Sequence, residues 1–173
     1  LNDAQKQALK GQIDQSPEIA TVNQVKQTAT SLDQAMNQLS QAINDKTQTL
    51  ADGNYLNADP DKQNAYKQAV AKAEALLNKQ NGTNEVQAQV ESITNEVNTA
   101  KQALNGNANV QHAKDEATAL INSSNDLNQA QKDALKQQVQ NATTVAGVND
   151  VKQTAQELNN AMTQLKQGIA DKE

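Results

Sequence analysis

His112 is the one histidine in the sequence, and an imidazole is the ordinary proton shuttle and metal ligand near neutral pH. With Asp115 and Glu116 just behind it, one nitrogen donor and two carboxylates could begin a metal site or an acid–base pair. Most such sites need three or four convergent ligands, and the chain has no cysteine to add. A surface histidine near a helix start is the better reading. Asp52, Asp59 and Asp61 suggest calcium, but their spacing departs from the D-x-[DN]-x-[DN]-G loop and no bidentate Glu follows. Helix capping and dipole complementation account for Asp59 and Asp61 instead. The serines and threonines lack a histidine–acid partner to activate them. Tyr66 lies on an apolar seam, which predicts a core ring whose hydroxyl reaches the bundle edge. Tyr55 is expected in a loop, packed over a bundle end; stacking of a ligand by the two rings is the alternative. Asn81-Gly82-Thr83 fits a glycosylation sequon and serves equally as a turn. The residues thus offer no catalytic group, no cofactor site and no metal site, and they leave any ligand-binding residue unknown.

The elements that carry these residues follow from composition and spacing. Of 173 residues, 36% are hydrophobic and only 1% aromatic, so cores must be built from Leu, Ile, Val, Met and Ala. That favours several thin helical cores over one thick one, each larger side chain contributing about 1.5–3 kcal/mol when buried. Six Gly and two Pro leave room for long helices. The net charge of -5, with lysines scattered among acids, excludes the basic stripe that nucleic acid requires. No stretch approaches the roughly 20 apolar residues of a membrane span, and no signal peptide opens the chain. A chain that begins at Leu1 reads as a piece of a longer one, so missing targeting signals say little.

The strongest signal is an internal repeat. Residues Leu1–Lys46 return at Leu127–Lys172 without a gap, and about 26 of the 46 positions are identical. LNDAQKQALKGQI reappears as LNQAQKDALKQQV. A period of this length implies a tandem array of multi-helix blocks. Within the first copy Val22, Val25, Ala29, Leu32, Met36, Leu39, Ile43 and Leu50 step by threes and fours. Ser16-Pro17-Glu18 looks like a helix start, with Ser16 as cap and Pro17 in the first turn. Nothing before Gly53 demands a stop, so one helix is predicted over about 18–52, roughly 50 Å long at 1.5 Å per residue. Further helices are predicted over about 2–15, 60–79, 84–104, 110–122, 127–140 and 145–170, with Asn81-Gly82 and Asn105-Gly106 ending two of them.

No strand alternation occurs, so the fold class is all-α: tandem three-helix bundles joined by long shared helices into an elongated rod. Three modules are expected, at 1–34 (partial, two helices of three), 35–106 and 107–173. The shared helix would remove any flexible linker and make the array semi-rigid. Narrow Ala- and Val-rich seams suit helix packing better than membrane insertion.

Ala113–Met162 resembles a GA module, the three-helix fold of albumin-binding bacterial surface proteins. Tyr55–Asn78 with its flanking helices resembles a FIVAR module. Their alternation at this period, with the strings ALNGNANVQHAKDEA and LNQAQKDALK, resembles the giant matrix-binding cell-wall proteins of staphylococci over the whole chain. The resemblance implies a non-enzymatic, cell-wall-associated fibrous adhesin without cofactors. Its implied partner is a host matrix protein such as fibronectin, held weakly and through many copies. Albumin-binding GA modules use an apolar, partly aromatic surface on their second helix. NQAQKDALKQQVQN has none, which argues against albumin. An envelope-stabilising rod and an intracellular coiled-coil scaffold are the rival readings. Closed bundles predict a monomer, whereas a coiled-coil scaffold predicts an oligomer.

Overall fold

In a computed structural model that describes residues 1–171, the described residues form nine helices and no strand. These are α1 (Asp3–Gln15), α2 (Ile19–Ile43), α3 (Lys46–Ala51), α4 (Gly53–Leu56), α5 (Pro60–Leu77), α6 (Gln87–Gln102), α7 (Gly106–Ser123), α8 (Gln129–Asn141) and α9 (Val145–Ala170). Lys172 and Glu173, the end of the expected third module and of the second repeat copy, lie outside the described residues.

Local chemistry sets the helix starts. Asn2 and Asn128 each accept a hydrogen bond from the backbone N–H of the glutamine three residues on, Gln5 and Gln131, at 2.8 Å. Each glutamine oxygen in turn accepts from the asparagine backbone N–H at 2.9 Å. Both α1 and α8 therefore begin with a capping box that satisfies two orphan donors. Thr144 caps α9 by accepting from the Gly147 N–H at 2.9 Å. Asp59 stands at the N-cap of α5 with Pro60 at the first helical position and Asp61 in the first turn.

The predicted single helix over 18–52 is corrected at both ends. Ser16 does not cap α2: its N–H donates to the Ile13 carbonyl and its hydroxyl to the Gln12 carbonyl, so it closes α1. Pro17 precedes the helix, and α2 starts at Ile19. At the far end the chain leaves helical geometry at Asp45, with φ -97 and ψ 16, before α3 resumes. Lys101 of α6 holds this break. Its ammonium donates to the Ala42 carbonyl at 3.0 Å and to both Asp45 carboxylate oxygens at 2.9 and 3.0 Å. A cation from a distant helix thus takes up a carbonyl at the end of α2, where the helix dipole favours positive charge. Asn105-Gly106 also acts differently from expectation. It opens α7, and a Cβ on Gly106 would lie 2.4 Å from the Asn54 carbonyl oxygen and 2.5 Å from that of Gly53. Only glycine admits so close a backbone approach.

The chain divides into two compact units. One takes in residues 1–52 and 59–104, the other residues 53–58 and those from Asn105 onward. In the first, α2 packs against α1, α5 and α6. Leu39, Tyr66, Ala73, Val90 and Val97 are fully enclosed there. Val86, at the N-cap of α6, is exposed. In the second unit α7, α8 and α9 close around Ala117, Ile121, Leu135, Val139, Val148 and Ala155, and α4 packs on α7. Alanine and valine make up just over half of each core, which lets helices approach closely, and Leu, Met, Ile and Tyr supply the larger buried side chains.

Candidate interaction surfaces

The residues singled out for chemistry do not assemble into a reactive site. His112 is largely exposed, and its Nε2 meets the Glu116 carboxylate one turn on at 3.0 Å. Asp115 is occupied differently, accepting from the Gln111 side chain at 3.0 Å. Among the described residues no three His, Cys, Asp or Glu side chains come close enough to hold a metal ion. Tyr66 is a core residue, but its hydroxyl oxygen is shielded rather than lying at the bundle edge. Tyr55 is buried in α4, not in a loop. The two rings belong to different compact units, and neither is presented as a stacking platform.

What the structure builds instead are polar clasps between segments distant in sequence. The largest centres on Asn2 and Gln5, both completely or nearly completely buried. While the Asn2 oxygen caps α1, its amide nitrogen donates to the Leu76 carbonyl at 3.1 Å and the Thr83 carbonyl at 2.7 Å. Gln5 donates to the Glu85 carbonyl at 3.1 Å, and the Asp3 N–H donates to the Lys79 carbonyl at 2.9 Å. The loop joining α5 to α6 is thereby gripped along its backbone. Gly82 sits inside the grip: a Cβ there would fall 2.6 Å from the Asn2 amide nitrogen and 2.5 Å from the Leu76 carbonyl. This explains why residues 1–52 group with the α5–α6 hairpin. Nothing in the spacing of Asn2 and Gln5 identifies the loop they hold.

Two further clasps lie in the second unit. Asn57 donates to the Gly53 carbonyl at 3.1 Å and accepts from the Val145 N–H at 3.2 Å, while its own carbonyl accepts from the Asn109 amide at 2.9 Å. Asp126 accepts from the Thr163 hydroxyl and from Lys166 at 3.4 Å, and its N–H donates to Asn159 at 3.1 Å. The Thr163 hydrogen bond, aided by Lys166, holds the Asp126 carboxyl below its usual value and outweighs the opposing effect of partial burial.

Three surfaces remain open. A groove of about 510 Å³ runs between α5 and α6, floored by Ala65, Ala69, Ala100 and Ala103, with the Lys72–Glu96 ion pair (3.2 Å) at its side. The outer face of α8 is Gln, Lys, Asp and Ala, since its only large apolar residues, Leu135 and Val139, face inward. The C-terminal half of α9 exposes Leu165 (59%) and Ile169 (58%). No helix is long and apolar enough to cross a membrane among the described residues.

A repeated, capped, all-helical pair of units, with no metal-binding cluster among the described residues, belongs to the class of helical bundle modules. The chain belongs to the GA module family, which matches residues 1–35 and 107–161, and a FIVAR domain occupies residues 35–105 between them. Neither family is enzymatic. Over its whole length the chain is 72% identical to the extracellular matrix-binding protein EbhA of Staphylococcus aureus strain Mu3, of which it spans 3%. The same identity holds to the extracellular matrix-binding protein ebh of strain JH9, of which it spans 2%. The crystal structure of the 756–1003 domain of S. aureus EbhA superposes with a TM-score of 0.87 at 51% identity, covering 90% of this chain and 63% of that one. A second S. aureus structure, domain 3912–4037 of a protein similar to streptococcal adhesins, gives 0.68 at 48% identity, covering 73% of this chain and 98% of its own.

Proposed function

We propose that this chain is one segment of a long cell-wall-associated fibrous adhesin, acting as a semi-rigid helical spacer whose repeated modules, at about 1–34, 35–106 and 107–173, make weak multivalent contacts with matrix protein such as fibronectin. The observation that carries this reading is α2. A single 25-residue helix packs against α1, which belongs to a GA match, and also against α5 and α6 of the FIVAR match. A helix shared in this way leaves no coil to act as hinge, so force and orientation pass from one module to the next. Each contact with a ligand can be weak, since many copies on one chain raise the effective concentration. The relatives named for matrix binding, and the open groove along α5 and α6, support the adhesive part.

Small-angle scattering of the 173-residue chain is expected to give a particle far longer than a sphere of equal mass, and ultracentrifugation a monomer. A compact particle would remove the spacer role, and a stable oligomer would favour a coiled-coil scaffold. Calorimetry against fibronectin tests the adhesive role, with heat expected only at high micromolar concentration for one segment. Albumin is not expected to bind, because the exterior of α8 lacks an apolar anchor.

A further inference from the structure

The two repeat copies bury matching residues to different extents. In the first copy Leu39 is completely buried and Ala35 and Met36 nearly so, under α5 and α6. Their counterparts in the second copy are the open Leu165 and Ala161 and the half-buried Met162. Asn2 and Gln5 are buried in the grip on the α5–α6 loop, while Asn128 is exposed and Gln131 half-buried, although both pairs form the same capping box. Asp45 receives Lys101, and Asp171 stands at the matching place, exposed.

We propose that the N-terminal end of α8 and the C-terminal half of α9 form a docking seat for a second copy of the α5–α6 hairpin, with the Asn128 amide nitrogen donating to that hairpin's loop backbone. The proposal rests on the array reading above and adds to it the residues and the bond that set the register. Three observations favour this occupant over any other. The residues that hold the hairpin in the first copy, Asn2, Gln5, Met36, Leu39 and Asp45, recur as Asn128, Gln131, Met162, Leu165 and Asp171. Positions nearby that change between the copies, Asn37 to Thr163 and Ser40 to Lys166, are exposed in the first copy and so face away from the hairpin. The one buried position that changes, Ala42 to Gly168, becomes smaller and cannot obstruct docking.

The choice of asparagine fits this account. Asp caps a helix as well as Asn does, but only Asn has an amide to donate after its oxygen is used in the cap. Asn→Asp therefore deletes the clasp and spares the helix.

The test lengthens the chain after Glu173 by a repeat of residues 48–105 and reads amide hydrogen exchange. Protection is expected to rise at Leu165 and Ile169 and to appear in the added hairpin. If the added hairpin folds and leaves the end of α9 unprotected, the array reading and the seat both fail. If it docks, Asn128→Asp is expected to lower protection in the added hairpin roughly ten- to a hundredfold, the scale of a lost buried hydrogen-bond partner. In the 173-residue chain the same change should leave α8 protection nearly unaltered, whereas Asn2→Asp should lower protection across residues 76–90. Docking that is indifferent to Asn128→Asp would overturn the clasp while leaving the array intact.

Discussion

Leu1–Asp45 and Leu127–Asp171 are two copies of one sequence pattern that the tertiary structure treats in opposite ways. The second copy buries its N-terminal part: Val139, Val148 and Ala155 are sealed beneath α7. Their first-copy counterparts are looser, with Ile13 at 39% exposure and Val22 and Ala29 half-buried. Towards the C-terminal end the relation reverses. Leu39 is enclosed by the α5–α6 hairpin, and Leu165 is open. The apolar stripe is continuous along both long helices, so it encodes a helix with an apolar face and leaves open what that face meets. Neighbours supply the partner, and each end of the helix needs a different one.

Introducing a carboxylate at a buried and at an exposed leucine gives the largest expected contrast. Leu39→Asp places an unpaired carboxylate in a sealed core and is expected to unfold the first unit, a loss of about 4 kcal/mol or more by urea denaturation. Leu165→Asp in the same chain is expected to shift stability by no more than about 0.5 kcal/mol. Equal effects would erase the distinction between the copies.

The capping boxes give the next contrast. Asn2→Ala removes a cap and strands the Leu76 and Thr83 carbonyls, at an expected cost of about 2–4 kcal/mol in thermal unfolding. Asn128→Ala removes the cap alone, at about 1 kcal/mol.

A smaller difference separates the copies in acid. Thr163 and Lys166 of the second copy hold Asp126, the residue just before it, whereas Asn37 and Ser40 stand at their places in the first. The folded-state pKa of Asp126 is lowered, so its contribution is fully present above the ordinary carboxylate value and is lost as pH falls through the folded one. Acid titration of the second unit should become shallower in Thr163→Val below the ordinary carboxylate range. An unchanged slope would mean that the hydroxyl contributes nothing to the folded carboxylate.

The smallest effect is stabilising. Gly11 and Gly168 lie inside helices with open space where a Cβ would go, so Gly→Ala at either should add up to about 1 kcal/mol, seen as a raised melting temperature.

How much of this was legible in the sequence depends on distance along the chain. The seven principal helices, the Asp59-Pro60 start and the all-α class rest on residues three or four apart, and each is legible in the sequence. The break at Asp45 is not legible in the local sequence, and the cation bonded there, Lys101, lies 56 residues away. Gly106 was read as a stop because glycine often follows a helix; its actual role is set by the Gly53 and Asn54 carbonyls pressed against it. No spacing rule marked Asn57, Asp126 or the loop held by Asn2 as clasps. For Asn2 the reason is plain: its amide finds acceptors 74 and 81 residues on.

By itself, then, the sequence determined that the chain is all-helical, roughly where its principal helices lie and that the pattern recurs, since periodic burial is an energy of neighbours within a turn. Tertiary structure alone decided which identical residues are buried, which carbonyls the buried amides satisfy and where the long helix breaks. Those outcomes depend on which backbone arrives from elsewhere to be desolvated, and a polar group that is buried must bond to whatever has arrived.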